Sequence, residues 1–267
     1  MADVALRSFV AAALLVGVNV ADARLSSNSL PAHKVAASKA AANPLAGSKL
    51  AKNTFAANLA GLDDLFATLE GLNLLTFIVS CALPSDVTLL ATAPDGSPLE
   101  FFGEIGLAKS WLHRPLNRGG RGWVSACVLA RSTNSGVLTV LSMRGPHRAL
   151  RLDLGEVENY TVEEGAFYGD YFVPEENRIA CRGKDQAAGE SGHLVYRNCT
   201  EPDPADSAHT KCGFLYAGDC GDFTPAPVCA QSTGAEHTFY RSCHAQPITK
   251  HDASSKFREV ITIFLHP

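Results

Sequence analysis

Eight cysteines constrain the fold of this 267-residue chain more than any other feature of its sequence. They are Cys81, Cys127, Cys181, Cys199, Cys212, Cys220, Cys229 and Cys243. In an exported protein, an even set of cysteines is typical of a disulfide framework. Structural zinc sites use paired C-x-x-C steps, which this sequence lacks, so we expect no metal and no cofactor. We predict that Cys81 bonds Cys127 and that the other six cysteines pair among themselves.

The first 23 residues have the pattern of a secretion signal. Residues 9–20 form an apolar run, Arg7 precedes it, and Ala21-Asp22-Ala23 matches a cleavage site. The alternative is a buried N-terminal helix. No later apolar run is long enough to cross a bilayer. The sequence therefore predicts a signal peptide over residues 1–23, a secreted, periplasmic or cell-surface location, and no transmembrane span.

Charge is distributed unevenly along the chain. The whole chain carries a formal charge of −4, whereas residues 24–60 carry +5 and residues 61–267 carry −8. An acidic body argues against a nucleic-acid partner. The basic segment is suited either to anionic polymers at a cell surface or to the acidic body of the same protein.

The basic segment also contains a five-residue repeat. Its apolar or small repeat positions are Leu25, Leu30, Val35, Ala40, Leu45, Leu50, Phe55 and Ala60. A period of five fits neither a helix nor a strand, and the segment resembles the pentapeptide-repeat family. The resemblance implies a square, right-handed β-helix with the central Leu or Phe of each repeat pointing inward. Pro31 and Pro44 interrupt the run, and the alternative is a flexible Ala/Ser/Lys-rich linker.

Two helices and a hairpin are predicted next. Residues 61–84 and 121–131 have apolar side chains at helical spacing, and the second segment contains Trp123 and Cys127. Residues 87–92 and 99–105 are strand candidates around a Pro-Asp-Gly-Ser turn, which favours a hairpin.

The remaining predicted elements are a loop, two strands and a helix. Residues 111–121 are predicted as a loop and residues 137–143 as a strand. Thr161-Val-Glu-Glu164 has the T-x-x-E form of a capping box, so we expect a helix from there to Phe172. Residues 260–265 are β-branched and aromatic, which predicts a final strand in the main sheet.

These elements predict an α+β fold with helices packed on a small, mainly antiparallel sheet. Residues 61–177 form its expected core domain. Residues 178–267 form an expected cysteine-rich lobe, because six cysteines fall among many Gly, Pro, Asp and Ser residues. The final strand of this lobe joins the core.

Three sequence blocks carry a second resemblance. Residues 72–84, 122–127 and 163–169 are similar to blocks of an uncharacterised secreted family from myxobacteria-like bacteria. Some members of that family also carry N-terminal five-residue repeats. The resemblance implies no activity.

Two weak catalytic patterns are present. Gly-Asp-Cys-Gly (218–221) resembles the nucleophile turn of chymotrypsin-like proteases, with Cys220 for Ser and with His147 or His193 as the available bases. A disulfide at Cys220 explains the same residues. Glu164 and Asp170, next to tyrosines, resemble the carboxylates of a glycoside hydrolase. The alternative is that the acids support a helix start and the tyrosines fill the core.

The sequence therefore favours a secreted, disulfide-stabilised binding or structural module over a catalyst. Its expected partner is a cell-surface polymer or a protein. The first alternative is a secreted hydrolase that acts on a wall polymer or a protein, and the second is a small inhibitor or toxin partner. A pocket that brings Glu164 or Asp170 within hydrogen-bond reach of His147 or His193 would favour the hydrolase.

Overall fold

The structure is a computed structural model that describes residues 25–27, 30–31, 68–93, 95–133, 138–150, 154–172, 177–183, 212–221, 228–231, 239–245 and 256–267. The predicted signal peptide, most of the repeat segment, Cys199 and His193 lie outside these residues. Of the repeat segment, the structure describes two short strands, β1 (Leu25–Ser27) and β2 (Leu30–Pro31). Whether this segment forms a pentapeptide β-helix or a linker is therefore not tested by the described residues.

The described residues contain three α-helices, α1 (Leu69–Ala82), α2 (Arg118–Ala130) and α3 (Leu154–Asn159). Thr68 caps α1, because its hydroxyl oxygen accepts a hydrogen bond from the backbone N–H of Gly71 at 3.0 Å. Asn117 caps α2 in the same way through Gly120, at 2.8 Å. Both predicted helices are thus confirmed in type. The second begins three residues earlier than expected, which shortens the predicted loop over residues 111–121. That loop also contains the second half of a 3₁₀ turn (Lys109–Leu112).

A disulfide joins the two long helices. The Cys81–Cys127 bond that the sequence predicted is present, with Cα atoms 6.0 Å apart. Both cysteines are fully buried, and a buried polar group lies at the same junction. There the Arg131 guanidinium donates to the Ser80 hydroxyl at 2.7 Å and to Glu104 Oε2 at 3.0 Å. Because these groups bond each other, the charge of Arg131 is compensated where the helices meet.

A six-stranded sheet forms the centre of the molecule. Besides β1, its strands are β6 (Val140–Arg144), β7 (Val162–Gly169), β8 (Arg178–Arg182), β9 (Leu215–Asp219) and β13 (Val260–Leu265). Their order in the sheet is β1-β6-β13-β7-β8-β9. Neighbouring strands are antiparallel except for β8 and β9, which are parallel. The predicted C-terminal strand is confirmed, and it lies in the interior of the sheet between β6 and β7.

Three smaller sheets complete the described strands. β3 (Thr88–Thr92) and β4 (Pro98–Phe102) form the predicted hairpin, and Gly96 in its turn has φ +86°. β5 (Ser132–Thr133) pairs with β2 in parallel. A three-stranded antiparallel sheet contains β10 (Cys229–Gln231), β11 (Tyr240–His244) and β12 (Lys256–Phe257).

Residues along the central strands alternate between two buried faces. Phe167, Ile261 and Ile263 belong to a core that includes α1 and α2. Tyr168 and Val260, which lie next to them in sequence, belong to a second core that includes the cysteines of β10 and β11. The helices therefore cover one face of the sheet, and β10, β11 and β12 cover the other. This arrangement is an α+β fold in which both faces of the central strands are buried.

The helix predicted over residues 161–172 is wrong, because residues Val162–Gly169 form strand β7. The T-x-x-E pattern does not start a helix here. β7 pairs with β13 on one side and with β8 on the other, so its backbone groups form hydrogen bonds between strands. Pairing shifts register between Ile263 and Phe264, so Glu164 is an extra residue on β7. A strand is usually recognised by alternating apolar and polar residues. β7 lacks this alternation, because it is buried on both faces and contains a bulge.

Two more disulfides lie on the second face of the sheet, Cys181–Cys220 and Cys229–Cys243. Cys212 is disulfide-bonded as well. Side chains from β7 reach into the same region. The Tyr240 hydroxyl donates to Glu163 Oε1 at 2.7 Å, and the Tyr168 hydroxyl donates to the backbone carbonyl of His244 at 2.9 Å. Strands from both sides of the expected boundary at residue 177 share the central sheet, and a separate cysteine-rich lobe stays a prediction.

Candidate functional site

An open cleft of about 750 Å³ lies where β11 and β12 approach the start of α2. We call it the aromatic–cationic cleft, and its lining residues are Trp123, Pro146, Phe239, Arg241, Ser242, Lys256, Arg258 and Glu259. Two aromatic side chains, three cationic ones and one carboxylate therefore face the same volume. Ligand sites typically combine apolar surface with a few placed polar groups, which makes this cleft the leading candidate site.

Trp123 forms the floor of the cleft on the side of α2. Its indole is half-buried and lies against the imidazole of His147, with ring centroids 5.0 Å apart and planes tilted by 58°. A Cβ atom at Gly145 would lie 2.6 Å from the carbonyl oxygen of Val260, so only glycine fits between β6 and β13 at this point. Gly145 thereby lets the turn that carries Pro146 and His147 approach Trp123.

The cationic side chains of the cleft come from the three-stranded sheet and the residue that follows it. Arg241 on β11, Lys256 on β12 and Arg258 just after β12 all have exposed side chains. Exposed guanidinium and ammonium groups on one wall give the cleft a positive potential, although residues 61–267 are acidic in sum. The local charge of the cleft is therefore opposite in sign to that of the body around it.

Glu259 is the one carboxylate in the described lining of the cleft, and it lies against the first turn of α2. A Cβ atom at Gly122 would lie 2.9 Å from Cβ and Cγ of Glu259, and one at Gly119 would lie 3.5 Å from Oε1. The glycines of Arg-Gly-Gly-Arg-Gly thus make room for this side chain. A carboxylate near a helix N-terminus is favoured by the helix dipole, which gives Glu259 a structural role.

His147 lines a second cleft of about 550 Å³ together with Lys109, Ser110 and Arg148, and it contacts Trp123 of the first cleft. Its Nδ1 accepts a hydrogen bond from the backbone N–H of Ala149 at 3.1 Å. Burial, with a smaller contribution from the Arg148 guanidinium, lowers the pKa of the His147 imidazole below its ordinary value. The imidazole is therefore mostly neutral at pH 7, where it contacts the Trp123 indole at a tilted angle.

The described part of the chain does not bring the predicted hydrolase residues into one cleft. Glu164 is fully buried, and among the described residues neither Glu164 nor Asp170 lines either cleft. Asp170 Oδ2 pairs with Arg121 Nε at 3.2 Å, while its Oδ1 accepts from the backbone N–H of Phe172. Burial raises the pKa of Asp170, against the opposing effect of Arg121. The other predicted base, His193, lies outside the described residues.

Cys220 is bonded to Cys181 and fully buried, so this state of the protein offers no thiol nucleophile there. The Sγ atoms of Cys181, Cys220 and Cys229 all lie within 4.8 Å of one another. This sulfur cluster is the one group of described residues with the ligand types and proximity that a metal ion requires.

Sequence reasoning missed the aromatic–cationic cleft. Its residues come from four separated segments, around positions 123, 146, 240 and 257, and none of them belongs to a recognised motif. The segment Phe-Tyr-Arg-Ser-Cys (239–243) does not alternate between apolar and polar residues, and Cys243 is buried, so local sequence carried no signal for the cleft.

Comparison of the chain with protein-family models, curated proteins and solved structures finds no match. Of the helices that the structure describes, none combines the length and apolar character needed to span a bilayer. The case for a function therefore depends on the geometry of the clefts and the cysteines.

Proposed function

We propose that the protein is an extracellular binding module whose aromatic–cationic cleft holds an acidic polysaccharide at a cell surface. The observation that carries this proposal is the convergence of Trp123 and Phe239 with three exposed cations in one open cleft. Disulfides are compatible with such a location.

The residue types in the cleft fit a charged sugar polymer better than either a neutral sugar or an apolar ligand. Flat aromatic rings pack against the apolar faces of sugar rings. Arginine and lysine bind carboxylate or sulfate groups, and arginine does so with a bidentate fork. An open cleft accepts a chain that enters at one side and leaves at the other, which a small enclosed pocket would not.

Charge also favours a polyanion over a protein with a basic surface. The positive cleft attracts anionic chains, whereas the acidic body repels them elsewhere, so binding is directed to one region. The basic segment over residues 24–60 supplies further positive charge in the same chain.

A hydrolase is the weaker candidate. Most glycoside hydrolases act through two carboxyl groups that flank the scissile bond. The described lining of the cleft supplies Glu259 alone, and that side chain lies against the glycines of α2. The described lining residues therefore suit binding of a ligand better than its hydrolysis.

The test is binding of the full chain to polygalacturonate, measured by isothermal titration calorimetry at low and high salt, with dextran as the uncharged comparison. We expect binding to polygalacturonate that weakens as salt rises, because exposed charges are screened. We expect Arg241→Glu and Arg258→Glu each to reduce affinity about tenfold or more.

Arg114→Glu is the matched control, since it reverses an exposed arginine outside the clefts. Phe239→Ala tests the stacking contribution and should weaken binding without changing its salt dependence. The proposal fails if dextran binds as well as polygalacturonate, or if Arg114→Glu has the same effect as Arg241→Glu.

A further inference from the structure

Four cysteines from three strands and one turn meet on the second face of the central sheet. Cys181 lies on β8, Cys229 on β10 and Cys243 on β11, while Cys220 follows β9 directly. We call them the four-sulfur cluster. All four are buried, with exposed fractions of 0 to 2%. Although they form two disulfides, the bonds are not independent, because Cys181 Sγ lies 3.4 Å from Cys229 Sγ.

We propose that the four-sulfur cluster is a redox-linked metal site, which binds one Zn²⁺ through four thiolates when its cysteines are reduced. Oxidation to the two disulfides releases the ion. This inference goes beyond the proposed polysaccharide binding and is independent of it, since the aromatic–cationic cleft contains none of these cysteines.

The spacing of the sulfurs fits a tetrahedral ion. Zinc–sulfur bonds of about 2.3 Å place neighbouring ligand sulfurs about 3.8 Å apart. Three of the cluster's sulfurs lie within 4.8 Å of one another, and the fourth, that of Cys243, is bonded to one of the three. Once the bonds are open, rotation of the Cys243 side chain toward the other three sulfurs would complete the four ligands.

The backbone holds the cysteines in place without the disulfides. The N–H of Cys220 donates to the carbonyl of Arg182, and the N–H of Cys229 donates to the carbonyl of Cys220, both at 2.8 Å. Cys229 and Cys243 are directly paired across β10 and β11. Reduction therefore leaves four buried thiols positioned by β-structure, and this preorganisation favours a thiophilic ion.

The redox step balances as written. Two molecules of a small-molecule disulfide accept four electrons from the four zinc-bound thiolates. Two protein disulfides form, four small thiolates leave, and Zn²⁺ is released. A small thiol reductant reverses the reaction, and Zn²⁺ re-enters as the thiolates appear. The same sulfurs would then hold the second face together in a reducing compartment and in an oxidising one.

The experiment uses the full chain, reduced with a phosphine and titrated with Co²⁺ and then with Zn²⁺. We expect one Co²⁺ per chain, with the absorption of a tetrahedral tetrathiolate complex, and its displacement by Zn²⁺. Adding a small-molecule disulfide should release one equivalent of Zn²⁺ as the protein loses four free thiols from the cluster.

Variants separate the cluster from other cysteines. Cys229→Ser should lower Co²⁺ affinity about 100-fold or more, whereas Cys81→Ser/Cys127→Ser should still bind one equivalent with the same spectrum. If the reduced chain unfolds without metal, Zn²⁺ should restore its near-ultraviolet circular dichroism. The proposal is overturned if the reduced chain binds less than one equivalent, if Zn²⁺ fails to restore an unfolded chain, or if the Cys81/Cys127 variant loses binding equally.

Discussion

Gly169 and Gly96 both have positive φ, but only Gly169 is enclosed. At Gly169, φ is +124° and a Cβ atom would lie 1.7 Å from the carbonyl oxygen of Asn177. At Gly96, φ is +86° and no atom lies within 4 Å of an added Cβ. The pair therefore separates the cost of backbone conformation from the cost of a steric clash.

We expect Gly96→Ala to reduce the free energy of unfolding by about 1 kcal/mol, since alanine is strained at positive φ. Gly169→Ala should cost about 3 kcal/mol or more, because strain and overlap with the backbone add at the end of β7. Urea denaturation of both variants measures the difference. Equal losses would mean that the chain between β7 and β8 relaxes to admit the methyl group.

His147 gives the protein an acid-sensitive contact. Its folded pKa is lowered, so between that pKa and the ordinary value near 6.5 the unfolded chain binds more protons than the folded one. Its contribution to stability is complete above about pH 6.5 and is lost as pH falls through the folded pKa. We expect His147→Gln to reduce the acid dependence of the thermal midpoint in this window. An unchanged slope would assign that dependence to other groups.

Elements were predictable where one periodic signal dominated. The α2 helix has apolar residues at helical spacing from Trp123 to Ala130, and the β3–β4 hairpin has a turn that requires Gly96. Strand β7 was not predictable, because its glutamates imitate a capping box and a bulge at Glu164 disrupts the alternation. The pairing of β7 with β13 joins residues almost 100 positions apart, and this long-range contact outweighs local preference.

The Cys81–Cys127 bond stabilises the pair of helices α1 and α2. It closes a loop with a sequence separation of 46, which the chain-entropy model relates to about 4 kcal/mol. We expect Cys81→Ala/Cys127→Ala to lower the free energy of unfolding by about that amount in chemical denaturation. A variant that unfolds at the wild-type denaturant concentration would contradict the entropic account.

At the scale of the molecule, one sheet separates two cores. Strands β7 and β13 contribute Phe167 and Ile261 to the helical core, and Tyr168 and Val260 to the cysteine-rich core. The cysteine content and the hydrophobic patterns predicted a disulfide-stabilised α+β protein. They did not predict the aromatic–cationic cleft or the contact between two disulfides, because both depend on how β11 and neighbouring strands pack against distant segments.

The two cores should open separately, because in the described part of the chain each has its own disulfides and the central sheet lies between them. In Cys181→Ala/Cys220→Ala, we expect the amides of β10 and β11 to exchange at least about tenfold faster, while those of β6, β13 and β7 change little. The Cys81→Ala/Cys127→Ala variant should give the opposite pattern, with faster exchange in α1. Hydrogen exchange followed by mass spectrometry resolves these segments. Uniform acceleration in both variants would show that the cores unfold as a single cooperative unit.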